Sequence, residues 1–352
     1  MKGLYIVAAV TMAGVSSVFA LLAEIEDRYD LATASLGWIA GSAFLSALIT
    51  QLSFARYADR GHAELVLRAG IVASAVGLIW FAASTELWQF VAARSLLGAG
   101  VGMIIPPARR AIVVAADGNQ GELLGTFYAA YLSGFVFGPP VAGALTELSD
   151  VRMPFLVLGL CTAASLVSVA RLQIPAAQEP AAEVDKRVLR RLVRSRKVVA
   201  AILVVMSFRY SIGVFEPLWA PYLDDLGAST TLITLSLTGF ALPMLVVARP
   251  AGRLSDRFGP RLTSVLSAAA TVPLMAAYGQ VGVIPVVMGM AVPHGLLEAI
   301  QSPGSQAAVA DAAPHDDASA AQGLAEASGS LAAAIGAMTA APLFDWLGPG
   351  PA

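Results

Sequence analysis

Residues 252–261 read GRLSDRFGPR, and 197 residues earlier the chain carries ARYADRGHAE at 55–64, which sets Asp59–Arg60 in the register of Asp256–Arg257. Each copy is a short charged stretch between two long apolar runs. Two further matches share nearly the same spacing. RSLLGA from Arg94 matches HGLLEA from His294 at an offset of 200, and Gly125, Ala129, Gly138 and Leu145 match Gly323, Ala327, Gly336 and Leu343 at an offset of 198. Three matches at nearly one offset argue for a duplicated helical half.

The solvent of most of this chain is lipid. Of 352 residues 57% are hydrophobic and 13% charged, against about 25% charged in an ordinary soluble domain. A core of this length cannot bury so much apolar surface. The net charge of -2 matters less than where the charges lie, and the single cysteine, Cys161, excludes a disulfide framework and a cysteine-based metal site. The start, MKGLYIVAAVTMAGVSSVFALLAEIE, lacks an A-x-A-like cleavage site and is followed by more apolar runs, so it reads as a first transmembrane helix.

Crossing roughly 30 Å of hydrocarbon takes about 20 mainly apolar residues. On that measure eleven spans are expected, near 4–23, 36–56, 68–84, 87–107, 123–145, 151–171, 198–222, 230–250, 262–278, 282–303 and 322–344. The expected organisation is an N-terminal half (1–172), a cytoplasmic basic linker (173–197) whose second part is amphipathic, and a C-terminal half with five spans (198–352). With the N-terminus inside, the inner ends and loops hold Lys2, Arg56, Arg60, Arg68, Arg109, Arg110, Arg171, the basic residues of the linker, Arg249, Arg253, Arg257 and Arg261, and the outer loops hold only Arg28 and Arg152. That bias predicts a cytoplasmic N-terminus.

Gly252-x-Leu-x-Asp256-Arg257-x-Gly259 with Arg261 resembles the G-x-L-A-D-R-x-G-R-R loop of the major facilitator superfamily, Pro260 replacing one basic residue. The first copy keeps Asp59 and Arg60, but Ala55 replaces the leading glycine and His62 stands where the later glycine belongs. RSLLGAG, Arg94 to Gly100, resembles the family's R-x-x-x-G-x-G. Gly134-x-x-x-Gly138-Pro139-Pro140-x-x-Gly143 resembles the fifth-helix motif of its antiporters, G-x-x-x-G-P-x-x-G-G, with Ala142 in place of one glycine. The resemblance spans essentially the whole chain. It implies an all-α integral membrane bundle of two rocking six-helix-type halves, with a substrate site near the midplane between the repeats. The family has twelve spans, and FDWLGPGPA at the end of this chain resembles the loop leading to the twelfth. That helix is therefore expected to be missing from an incomplete sequence.

Chemistry sharpens these motifs. A carboxylate at a helix end can accept from a neighbouring helix N-terminus and pair with arginine, so Asp59, Arg60, Gly252, Asp256, Arg257 and Gly259 are candidates for an inner gate latch. A tight turn carrying inside-positive charges is the plainer alternative. An arginine inside a span costs about 2.5 kcal/mol or more at the centre, so Arg94 should face a cavity or a carboxylate unless it snorkels outward. Glycines four apart make a flat helix face, and proline frees a backbone carbonyl and kinks the helix. The repeat-equivalent positions are Ala337 and Met338, so the fold does not itself demand the prolines. Within the family the motif implies export by antiport.

Arg209 and Glu216 lie two turns apart on one helix, and Glu298 lies in the tenth span. A carboxylate poised between desolvation and a nearby arginine can load and release a proton. Glu216, Glu298, Arg94 and Arg209 are the proton-coupling candidates, with a static Arg209–Glu216 pair as the alternative. His294, in register with Arg94, can titrate near neutrality. Tyr128, Tyr131, Phe208 and Phe215 are candidates to line a cavity for flat apolar cations or neutral drugs.

The expected protein is not an enzyme, uses no cofactor or metal and binds no nucleic acid. It is expected to act as a monomer in the plasma (inner) membrane, its partners being a small organic substrate, protons and the bilayer. Proton-coupled efflux is the leading expectation. Uptake by symport or facilitation, and a transport-inactive membrane sensor or truncated product, are the alternatives.

Overall fold

The computed structural model describes residues 1–57, 61–115, 120–174, 186–314 and 317–348. They form helices α1 (Lys2–Ala20), α2 (Leu22–Tyr29), α3 (Thr33–Tyr57), α4 (Ala63–Ala83), α5 (Leu87–Ala115), α6 (Gln120–Leu148), α7 (Met153–Val169), α8 (Lys186–Arg194), α9 (Arg196–Asp225), α10 (Thr230–Phe258), α11 (Pro260–Tyr278), α12 (Ile284–Ala312) and α13 (Ala318–Leu347). Ten of the eleven expected spans each coincide with one helix. Among the described residues, nine of the helices are long and apolar enough to cross a membrane; α7 is too short by that measure and α11 falls outside the set. The first span departs from expectation, because Leu21 (φ −110°) interrupts the helix and α2 resumes beyond it.

The loop motif that reveals the repeat is a helix–turn–helix made by Gly and Pro. Gly259 takes φ 88° and its N–H bonds Ser255 O at 2.8 Å, ending α10, and Pro260 opens α11. Glycine past a helix end and proline at the next first position each match the terminus they occupy. In the first copy His62 does not lose the turn, as the alignment implies. Gly61 supplies φ 93° one position earlier, and His62 stacks on Tyr57 with centroids 4.2 Å apart.

The helix flanks confirm an apolar solvent. Leu160, Val167, Val272 and Leu331 all stand exposed, as a bilayer permits and water would penalise. α11 inverts the soluble pattern. It buries Thr263, Ser264, Ser267 and Thr271 and turns Leu262, Val265 and Leu266 outward. The buried hydroxyls bond carbonyls of their own helix, Ser264 to Pro260 O at 2.7 Å and Thr271 to Ser267 O at 3.0 Å, which satisfies them without a partner helix.

In the first half α1 packs on α6 and α7, and α5 on α3 and α4; in the second, α9 packs on α13, and α12 on α10 and α11. The halves meet along α3–α13 and α6–α10. α8 lies between the halves in sequence: its Leu192 is buried in the second half, and Arg191 pairs with Asp317 just before α13. Residues 175–185 of the linker lie outside the described residues.

One end of the bundle is acidic (Glu24, Glu26, Asp27, Asp30, Asp150, Asp224, Asp225) and the other basic (Arg68, Arg253, Arg257, Arg261). At the acidic end the halves are joined by Thr230 donating to Glu24 and Thr231 donating to Glu147. Nearer the basic end, a Cβ added to the repeat-equivalent Gly125 of α6 or Gly323 of α13 would meet nothing within 4 Å. Hydrogen bonds between the halves thus close the acidic end, whereas these two glycines nearer the basic end face open space.

Candidate functional site

The first seam between halves answers why α6 holds two prolines. Pro140 has no N–H to give the carbonyl of Val136, four residues back. That carbonyl instead accepts from Thr238 Oγ1 on α10 at 2.9 Å. The freed backbone group has become a bond across the halves. Gly134 and Gly138 lie against α1, where a Cβ would come within 2.0 Å of Ala9 O and 2.6 Å of Ala13 O; Gly143 faces Thr234 of α10. At the other seam, α3 presents Gly37 and Gly41 to α13, where a Cβ would meet Ala337 O at 2.4 Å and the Met338 side chain at 2.7 Å. The positions equivalent to the prolines therefore also make a contact between halves, through close packing instead of a freed carbonyl.

Deeper in the bundle, Arg94 of α5 forms an ion pair with Glu216 of α9. The two side chains are 2% and 9% exposed. Arg94 Nη1 also approaches Val15 O at 3.5 Å, and its Nε has no partner among the described residues. Arg94 does not snorkel; it is a buried cation held by one carboxylate from the other half. The Arg209–Glu216 pairing does not form. Arg209 instead bonds Glu326 of α13 at 2.8 Å, and Gln306 of α12 donates to the other Glu326 oxygen at 2.7 Å. Sequence reasoning missed Glu326, although an ionisable residue inside a span is itself a signal.

Glu298 stays within the second half. Its carboxylate lies 3.4 Å from His294 Nε2 and accepts from Ser211 at 3.4 Å, while His294 Nδ1 lies 3.4 Å from the Tyr278 hydroxyl. Arg94 and His294, equivalent in the repeat, are both buried, but only Arg94 reaches the opposite half.

Of the four aromatic candidates, Tyr128 and Tyr131 face the space between halves, stacked at 6.2 Å and within electrostatic reach of Arg209. Phe215 is instead core, stacked on Trp219 and Phe240, and Phe208 is buried as well. Asp59 and Arg60 lie outside the described residues, as does the Asp256 side chain. Arg257 is exposed and lies 5.2 Å over the ring of Phe258. At the first copy, Glu64 and Arg68 perform a task the motif does not announce. They hold the end of α7, Glu64 accepting from Ile174 N at 2.8 Å and Arg68 donating to Ala170 O at 3.0 Å.

At the acidic end Glu26 of α2 accepts from Thr33 and faces Asp224 and Asp225 of α9. Burial pushes its carboxyl up to about 7, against the opposing Thr33 hydrogen bond, with Asp225, Asp27 and Asp224 adding to the rise.

The family model described as Major Facilitator Superfamily matches residues 4–219 and 199–351. The multidrug resistance protein MdtG of Proteus mirabilis (strain HI4320) is 26% identical over 276 residues, 74% of this chain and 67% of that protein. MdtG of Serratia proteamaculans (strain 568) is 26% identical over 289 residues, 76% of this chain and 68% of its own. Among solved structures, a mutant of the nucleoside transporter NupG superposes with a TM-score of 0.85 at 13% identity, covering 98% of this chain and 91% of that one. A bacterial homolog of the human lysosomal transporter Spinster, inward-facing and occupied, gives 0.83 at 14% identity, covering 98% and 81%.

Proposed function

The chain belongs to the Major Facilitator Superfamily, and from that premise we propose that this transporter is a proton-coupled antiporter exporting small organic compounds. The observation that carries the reading is the buried Arg94–Glu216 pair between halves. Opening the acidic end must separate these groups, and an unpaired charge in a low-dielectric interior is strongly unfavourable. A proton on Glu216 removes its charge and releases it from Arg94. Proton occupancy and opening of the acidic end are thereby linked.

The cycle follows. With the acidic end closed, Glu216 is ionised and paired, and the cavity takes substrate from the basic side. Substrate binding offsets the separation of the pair as the halves rock. At the acidic side substrate leaves and a proton neutralises Glu216. The protonated chain rocks back, and loss of that proton toward the basic side lets the pair re-form. Arg209 serves the cavity, Glu298 stays with His294 and Ser211 in the second half and does not replace Glu216, and Asp256 with Arg257 latches the basic end when it closes. By its excess of arginine the basic end is cytoplasmic, and the membrane is the inner membrane of a bacterium, as the efflux relatives suggest. One chain holds both walls of the cavity, so a monomer suffices.

Acid-loaded inverted membrane vesicles test this. Adding a transported compound should draw protons out of the vesicle interior, and vesicles lacking the protein should stay silent. Protons entering together with substrate would make the chain a symporter. Binding without flux would make it a sensor.

A further inference from the structure

The two intramembrane ion pairs differ in one decisive respect. Arg94 and Glu216 are sealed, whereas the side chains of Arg209 and Glu326 are 31% and 29% exposed. The pair is therefore open to a ligand, and it holds two charges at membrane depth, where charges mark substrate or ion pathways. Arginine carries five donors; one of them goes to Glu326 at 2.8 Å. Gly329 makes room for the arginine stem, since a Cβ there would lie 2.8 Å from Arg209 Cγ. Gln306 fixes Glu326 from behind at 2.7 Å. From the opposite half, Tyr128 and Tyr131 present parallel rings, 10° apart in plane, and Tyr128 is 43% exposed.

Resting on the transport reading above, we propose that this cluster is the substrate subsite and that it selects zwitterionic aromatic compounds. The ligand carboxylate lies on the Arg209 fork, its ammonium on Glu326 and its ring against Tyr128 and Tyr131. The charge balance decides between ligand classes. A lone anion gains Arg209 and is repelled by Glu326, and a lone cation meets the reverse; a zwitterion satisfies both. The paired guanidinium and planar carboxylate recognise each other bidentately, and the phenol faces supply area with a preferred stacking geometry.

Calorimetry on the full chain in lipid nanodiscs tests this with 6-(aminomethyl)-2-naphthoic acid, its methyl ester and its N-acetyl derivative. The zwitterion should bind about tenfold tighter than either relative. Arg209→Gln should weaken the acid and the N-acetyl compound by about tenfold and tighten the ester, and Glu326→Gln should weaken the acid and the ester and tighten the N-acetyl compound. Thermal midpoints of both variants separate lost binding from lost fold, and Gln306→Ala supplies a milder perturbation of the same carboxylate. Equal binding of ester and acid, no binding of the acid, or an unchanged Kd in folded Arg209→Gln overturns the proposal. Because binding is read without any proton gradient, selective binding with no proton exchange would sink the antiport reading alone. Proton exchange without zwitterion preference would sink the subsite alone.

Discussion

Arg94 and Glu216 are joined across the two halves of the bundle, buried at 2% and 9% side-chain exposure, and each is the other's ion-pair partner among the described residues. Removing one partner of a buried pair typically costs 3–5 kcal/mol, because the other charge is stranded. Glu216→Gln strands Arg94 and should lower the thermal midpoint of the closed state. Adding Arg94→Gln should recover much of that loss. A double-mutant cycle read by thermal unfolding should show coupling well above about 0.5 kcal/mol; additive losses would mean the pair does not hold the halves.

Thr238→Val should loosen the α6–α10 seam by leaving the Val136 carbonyl without its donor. The expected cost is about 1–3 kcal/mol, the penalty of an unsatisfied buried acceptor. Pro140→Ala restores an N–H to that carbonyl, so in its background Thr238→Val should cost little. Spin labels on α6 and α10 would read the separation, which should widen in the threonine variant alone.

Glycine positions divide sharply by their surroundings. Gly134→Ala drives a Cβ to 2.0 Å from Ala9 O on α1, backbone that cannot give way cheaply. It should destabilise by about 1–3 kcal/mol as overpacking does. Gly125→Ala, toward the basic end of the same helix, has open space and should be neutral or stabilising through helix propensity, by up to about 1 kcal/mol. Comparing the two midpoints checks the assignment of tight and open ends.

Glu26 gives the acidic end a pH dependence. In the closed arrangement burial pushes its carboxyl up from 4.5 to about 7. A raised carboxylate pKa means that closure binds protons, so it gains stability as pH falls from about 7 toward 4.5 and loses it on the way back up. Above about 7 the ionised Glu26 repels Asp224 and Asp225 of the other half. Distances across the acidic end should therefore shift toward closed populations between pH 7 and 5, and Glu26→Gln should flatten that response.

The spans, the repeat and the glycine seam were legible in the sequence because each rests on local pattern. Length, periodicity and helix-breaking residues report directly on hydrocarbon thickness, duplication and close approach. Arg94 was legible as a group needing a carboxylate, but its partner was not. Glu216 sits 122 residues away, and only packing decides whether it faces Arg209 on its own helix or Arg94 on another. Glu326 was passed over amid small residues in GLAEASGS, although its charge inside a span was a sufficient signal. The glycine of the first loop was misplaced by one position because alignment to the second copy fixes spacing, whereas a turn needs a left-handed residue near its end and tolerates a shift. The donor to Val136 was half visible, since Pro140 announces a freed carbonyl while sequence cannot name the hydroxyl that finds it.

The central claim is that Glu216 carries the exchanged proton by leaving Arg94. It is tested most directly by counting protons per substrate in proteoliposomes for the native chain and for Glu216→Gln, alongside substrate counterflow with no pH gradient. The account predicts that the variant still exchanges substrate for substrate but moves no protons. Full proton coupling in folded Glu216→Gln would contradict it.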